Sequence, residues 1–155
     1  VDEASLRGTY TSLFDVTSGS PPVSLLERRY RDEPEQQLWE KLLRFYAHFG
    51  LDFADGYTKE QPDHLVTELS FMHYLGFLQA AAGPDYDSIG RGQLDFLSLH
   101  LCNFAARAAA SLEKAAGAAI YREFGRCLGA IAAADREQLV VQFREPSDGQ
   151  EDREH

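Results

Sequence analysis

The sequence predicts an all-α fold, a single-domain helical bundle, on three observations. Apolar residues recur three and four apart through most of the chain, most regularly at Leu94, Leu97, Leu101, Phe104 and Ala108. No run alternates apolar and polar residues, rich in Val, Ile and Thr, between hairpin turns. The 155 residues are enough for one hydrophobic core and too few for two ordinary domains. Residues 1–145 are therefore read as one helical domain. The charged stretch 146–155 has no apolar anchor and is expected to be a disordered tail.

In chain order, Leu6, Tyr10, Leu13 and Phe14 have helical spacing within residues 5–14, and Gly19 with Pro21-Pro22 ends that pattern. Residues 24–30 are too short for periodicity to decide between a helical turn and an extended segment. A second helix is expected from a cap at Asp32, with Pro34 in its first turn, to a stop at Gly50; Leu38, Leu42, Phe45 and Phe49 line its face. Residues 51–60 form a loop. Gln61-Pro62 opens a third helix, with Leu65, Leu69, Met72 and Gly76 along one stripe and a stop at Gly83-Pro84.

Residues 85–92 read as a polar connection, followed by the strongly periodic helix from Gly92. Beyond Gly117, Ile120, Phe124, Cys127, Leu128 and Ile131 form a further apolar face; Asp135 either caps a separate final helix through Leu139, Val140 and Phe143 or lies within one continuous helix, and a kink or short break is the favoured reading. The alanines at 105–106 and 108–110 predict close helix approach, because small side chains let backbones come together.

Composition excludes several classes of function. A net charge of −10 and a pI near 4.9 argue against nucleic acid as a partner, since phosphate binding needs an excess of Lys and Arg. Charges interrupt every apolar stretch before the roughly 18–20 residues a membrane span needs, and no signal-peptide pattern is visible, so a soluble, cytoplasmic protein is expected. Cys102 and Cys127 lack CxxC spacing and read as buried thiols. No Gly-rich phosphate loop occurs.

The most polar helix start, Pro62-Asp63-His64, puts an acid and an imidazole side by side. Asp63 there suits a helix cap opposing the dipole, while the pair lacks the nucleophile a hydrolase would need. His64 and Glu68, at i and i+4, offer two metal ligands, and His48, His73 and His100 supply no recognisable third, so neither metal nor cofactor is expected. His100, among Leu97, Leu99 and Leu101, reads as an interior histidine. Arg28, Arg29 and Arg31 read as a solvated cluster or as partners of the acidic majority.

Four patches, in order, resemble the TorD-like maturation chaperones of molybdenum enzymes, including the nitrate reductase delta-subunit assembly chaperones. Tyr10-Thr11-Ser12-Leu13-Phe14 resembles that family's Y-x-x-L-F element. Pro21 to Glu27 resembles its proline-containing S-x-Y-E segment, with Leu26 where an aromatic residue is usual. Pro62-Asp63-His64-Leu65 with Glu68-Leu69-Ser70-Phe71-Met72 resembles its P-D-H-x-x-x-E-L-x-F-M signature, and Asp95 to Leu101 with Tyr121 resembles the helix pair that follows. The family's usual helical region before the first element is not found, so the chain reads as shortened at its front. That would leave an apolar face for a second copy to cover as a homodimer.

The resemblance implies a cytoplasmic chaperone that is not an enzyme. Its partner would be the catalytic subunit of a molybdopterin-dependent, dimethyl sulfoxide reductase-type oxidoreductase, bound through an N-terminal leader that in many members carries a twin-arginine export signal. By position, Pro62, Asp63, His64, Glu68 and Glu27 inherit the peptide-binding role. Asp63, Glu60 and Glu68 near an apolar helix surface would pair with leader arginines. The sequence shows no site for a guanine nucleotide or molybdopterin. Two other readings stand beside this one: a helical hydrolase using Asp63 and His64, and a helical adaptor that is not a chaperone.

Overall fold

The computed structural model describes residues 2–15, 19–53, 59–115, 117 and 119–143, and among these every regular element is a helix and none is a strand. Six α-helices follow in order: α1 (Glu3–Phe14), α2 (Glu35–His48), α3 (Leu65–Ala81), α4 (Tyr86–Phe96), α5 (Cys102–Lys114) and α6 (Ala119–Phe143). A 3-10 turn at Glu27–Tyr30 precedes α2, another at Gly83–Asp85 leads into α4, and a π-helical turn at Leu97–Leu101 joins α4 to α5. The expectation for the tail at 146–155 lies outside the described residues, as do residues 54–58 of the expected loop.

The helix ends follow local chemistry. Asp2 caps α1 by accepting from the Ser5 amide at 2.8 Å. α2 begins after Pro34, which keeps an extended backbone and is itself the cap, so Asp32 does not serve as one. It stops at Gly50, whose φ of 83° lets the Leu51 amide fold back onto the Tyr46 carbonyl at 2.9 Å.

The core joins Leu38, Leu42 and Tyr46 of α2, Phe71 and Leu75 of α3, Ile89 and Phe96 of α4, Leu97 and Leu101 of the π turn, and Leu139 and Phe143 of α6. Phe71 stands edge-on to both Tyr46 and Phe96, with ring centroids 4.8 Å apart in each case. A smaller cluster of Leu13, Val23 and Leu112 ties α1 and the segment after it to α5. The expected closeness of α5 and α6 is observed. Ala105 and Ala108 are buried, and a side chain on Gly125 would come within 3.3 Å of the Ala109 backbone.

Four expectations are corrected. The helix around Ile89 starts at Tyr86, six residues before the sequence suggested, because its core-facing positions include Gly90, Gly92 and Gln93, which carry no apolar signal. The glycines make room for rings: a Cβ at Gly90 would lie 2.1 Å from Phe143, and one at Gly92 2.2 Å from Phe49. α3 buries Thr67, Glu68, Phe71 and Leu75 rather than the stripe through Leu69, since it is apolar nearly all round and periodicity could not select a face.

α6 is continuous through Asp135, because Ala132, Leu139 and Phe143 keep one buried face in phase across it. The same phase turns Phe124, Cys127 and Ile131 outward, so Cys127 is an exposed thiol, and Cys102 is partly buried.

Candidate functional site

Residues 21–31 form a strap that leaves α1 and crosses the start of α3. The Val23 amide donates to the Leu13 carbonyl at 3.1 Å, and the Val23 side chain is buried. Tyr30 closes the strap on itself, its hydroxyl donating to the Ser24 carbonyl at 2.9 Å and accepting from the Ser24 amide at 3.0 Å. Leu26 pairs antiparallel with His64, the Glu27 amide donating to the Asp63 carbonyl at 2.8 Å and the Leu65 amide to the Leu25 carbonyl at 2.9 Å. This pairing holds His64 extended. α3 therefore starts at Leu65, about a turn later than Pro62 suggested, and the Pro62 carbonyl instead accepts from the Tyr46 hydroxyl at 2.7 Å.

Beneath the strap lie its charges. The Asp63 carboxylate is fully buried and accepts from the Arg28 guanidinium at 2.8 Å, the Arg28 amide at 3.2 Å and the Trp39 indole at 2.9 Å. It thus fixes the strap and α2 and caps no helix. His64 is the cap, its Nδ1 accepting from the Val66 amide at 3.2 Å. Arg28 also stacks over Trp39, 5.7 Å from its ring centre.

Glu27, equally buried, accepts from Arg31 Nε at 2.7 Å and faces His100 Nδ1 at 3.1 Å. Because Nδ1 meets a carboxylate, it is the protonated nitrogen. Burial pushes the Glu27 carboxyl up, but hydrogen bonds and positive charge from His100 and Arg31 more than offset this and hold it below its usual range. Glu68 is buried too, and neither of its oxygens meets a donor.

Over this junction opens a groove of about 350 Å³. It is lined by Tyr10 and Phe14 of α1, by Leu25 and Leu26 of the strap, and by His64. Burial keeps the His64 imidazole below its ordinary range against the opposing pull of Glu60 and Asp63, so the ring is neutral at pH 7. With Nδ1 accepting, the proton sits on Nε2, which lies 3.8 Å from Glu60. The rim carries Arg29, Lys59 and Glu60.

Of the five residues given the peptide-binding role by position, His64 alone lines the groove, and Glu60, expected beside them as an arginine partner, stands on its rim. Pro62, Asp63, Glu27 and Glu68 are brought together under it, buried, as its support. Asp63 and Glu68 are thus not placed to meet a ligand's arginines, because Arg28 already occupies the first and burial encloses the second. Sequence reasoning missed Arg29 and Lys59 as rim cations and Tyr10 as an exposed groove aromatic. The Y-x-x-L-F pattern marked Tyr10 without revealing which way it faces. Among the described residues no group of three or more His, Cys, Asp or Glu could hold a metal ion, and no helix is long and apolar enough to cross a membrane.

Comparison with known proteins agrees with the junction's sequence pattern. The family model described as nitrate reductase delta subunit matches residues 1–110. The selenate reductase assembly chaperone protein of Thauera selenatis is 34% identical over 142 residues, covering 89% of this chain and 72% of the relative. The chlorate reductase assembly chaperone protein of Ideonella dechloratans is 32% identical over 139 residues, covering 87% and 70%. The dimethyl sulfide dehydrogenase assembly chaperone protein of Rhodovulum sulfidophilum is 36% identical over 104 residues, covering 61% and 42%. No solved structure matches the chain significantly. These relatives are assembly chaperones by name, and with them this chain is not an enzyme. It belongs to the nitrate reductase delta subunit family.

Proposed function

We propose that the protein is a cytoplasmic assembly chaperone for the catalytic subunit of a molybdopterin-dependent, dimethyl sulfoxide reductase-type oxidoreductase. It binds that subunit's N-terminal leader and holds it through cofactor insertion, assembly and export proofreading. The observation that carries this reading is the groove: apolar residues from α1 and the strap line it together with a neutral imidazole, in a chain similar to named reductase assembly chaperones.

In this reading the greasy residues of the leader lie against Tyr10, Phe14, Leu25 and Leu26, while His64 Nε2–H donates to a leader carbonyl and Glu60 meets a leader cation. Pro62, Asp63, Glu27 and Glu68 contribute by holding the strap in place. A homodimer would cover Ile120, Phe124 and Ile131, which stand exposed on α6. The test is titration of a labelled leader peptide of a molybdopterin-dependent catalytic subunit from the same host. Saturable binding that weakens at least tenfold in Leu26→Glu and measurably in His64→Ala is expected. Equal affinity in wild type and both variants would overturn the site, and recovery of no catalytic subunit from the native host would overturn the chaperone role.

A further inference from the structure

Among the described residues, Glu68 is the buried side chain whose polar atoms find no hydrogen-bond partner. It is 0% exposed, and no donor of the described chain reaches either of its oxygens. The group it meets is another carboxyl, that of Glu27. Two carboxylates make a hydrogen bond only when one of them carries a proton. Glu27 is the ionised member, because Arg31 and His100 both donate to it.

The other charges around Glu68 come from every side of the junction: Arg31 from the strap, Asp63 from the residues before α3, and His100 from the π turn behind Glu27. Arg31 is committed to Glu27 and the Leu99 carbonyl, and Asp63 to Arg28 and Trp39. α2 adds the Tyr46 hydroxyl, which donates to the Pro62 carbonyl.

We propose that Glu68 is a carboxylic acid in the folded protein, that it donates its proton to Glu27, and that this shared proton clasps the strap onto α3. Loss of the proton to solvent at rising pH sets three negative carboxylates, Glu27, Asp63 and Glu68, in one buried junction. The strap then lifts at its Leu26–His64 pairing and the groove beside it widens. The burial of Glu68 and its position beside Glu27 also raise its carboxyl well above the ordinary range, in the direction the clasp requires. Only the consequence for the groove rests on the peptide-binding reading; the proton on Glu68 does not.

The test uses the whole chain without peptide. Infrared difference spectroscopy of wild type against Glu68→Gln at pH 7 should show the carbonyl band of one protonated carboxylic acid, present in wild type and lost in the variant. As pH rises, that band should fade over the range in which amide exchange at Glu27 and Leu65 speeds up relative to Phe71 of the same helix. Glu68→Gln, which keeps a donor for Glu27, should hold the relative rates constant. Absence of the band at pH 7, or a fade without faster exchange at Glu27 and Leu65, overturns the proposal. Should the variant fail to fold, the band and the exchange ratio are read on wild type alone. Failure of leader binding with the band intact would count against the proposed function and leave the clasp standing.

Discussion

The strap–α3 junction and the α5–α6 contact are both tightly packed, and they are held by opposite means. At the junction, Asp63, Glu27 and Glu68 are all fully enclosed; Arg28 and Trp39 serve Asp63, Arg31 and His100 serve Glu27, and no donor of the described chain serves Glu68. Between α5 and α6, Ala105, Ala108, Leu112 and Gly125 meet without a buried charge. The apolar contact tolerates small losses, because its stability is spread over many weak contacts. The junction does not, because removing one member leaves another charge stranded away from water. The difference teaches where a candidate binding site should be expected: the groove lies on the region whose geometry is fixed by directional bonds.

The largest expected effect comes from breaking the junction at its best-satisfied acid. Asp63→Ala strands the Arg28 guanidinium and the Trp39 indole, and urea denaturation should show a loss of about 3–5 kcal/mol. An intermediate effect is expected where apolar packing is closest. In Gly90→Ala the new methyl meets the Phe143 ring, and overpacking of about 1–3 kcal/mol should outweigh the roughly 1 kcal/mol that alanine adds to helix propensity.

The pH dependence separates the two buried glutamates. Glu68 is raised in the folded state, so the folded chain holds a proton that the unfolded chain releases above about pH 4.5. The stability it contributes is full below that pH and is lost as pH rises toward the folded value, with a slope of at most about 1.4 kcal/mol per pH unit. Glu27 is lowered, so its contribution is present above pH 4.5 and is lost as pH falls. Thermal denaturation across pH should therefore lose its alkaline slope in Glu68→Gln and part of its acid slope in Glu27→Gln. The smallest effect is expected at the exposed pair of Glu113 and Arg126 between α5 and α6, where Glu113→Ala should leave the denaturation midpoint unchanged.

Much of the fold was legible locally, and much of the site was not. The helix from Leu97 through Ala108 could be read because its apolar residues are large and regularly spaced. The start of α4 could not, since Gly90 and Gln93 occupy its buried face and Gly92 packs against Phe49. Pro62-Asp63-His64 was visible as a polar helix start, and its resemblance to a known signature marked it for function. That Asp63 would turn inward to Arg28 while His64 took over the cap could not be read, because the carboxylate's partner lies 35 residues earlier in the chain.

The sequence by itself determined the all-helical class, the glycine stop of α2, the close α5–α6 approach and the family pattern running from Tyr10 to Tyr121. These depend on residues within a turn or two of one another, or on the order of short motifs. Only the tertiary structure decided which acids are buried, which buried acid is left without a donor among the described residues, and that His64 and Glu60, rather than Asp63 and Glu68, face the groove. Charge state and exposure are set by neighbours brought together from residues 27, 63, 68 and 100. The energy of a buried charge depends on those neighbours far more than on the residues beside it in the chain.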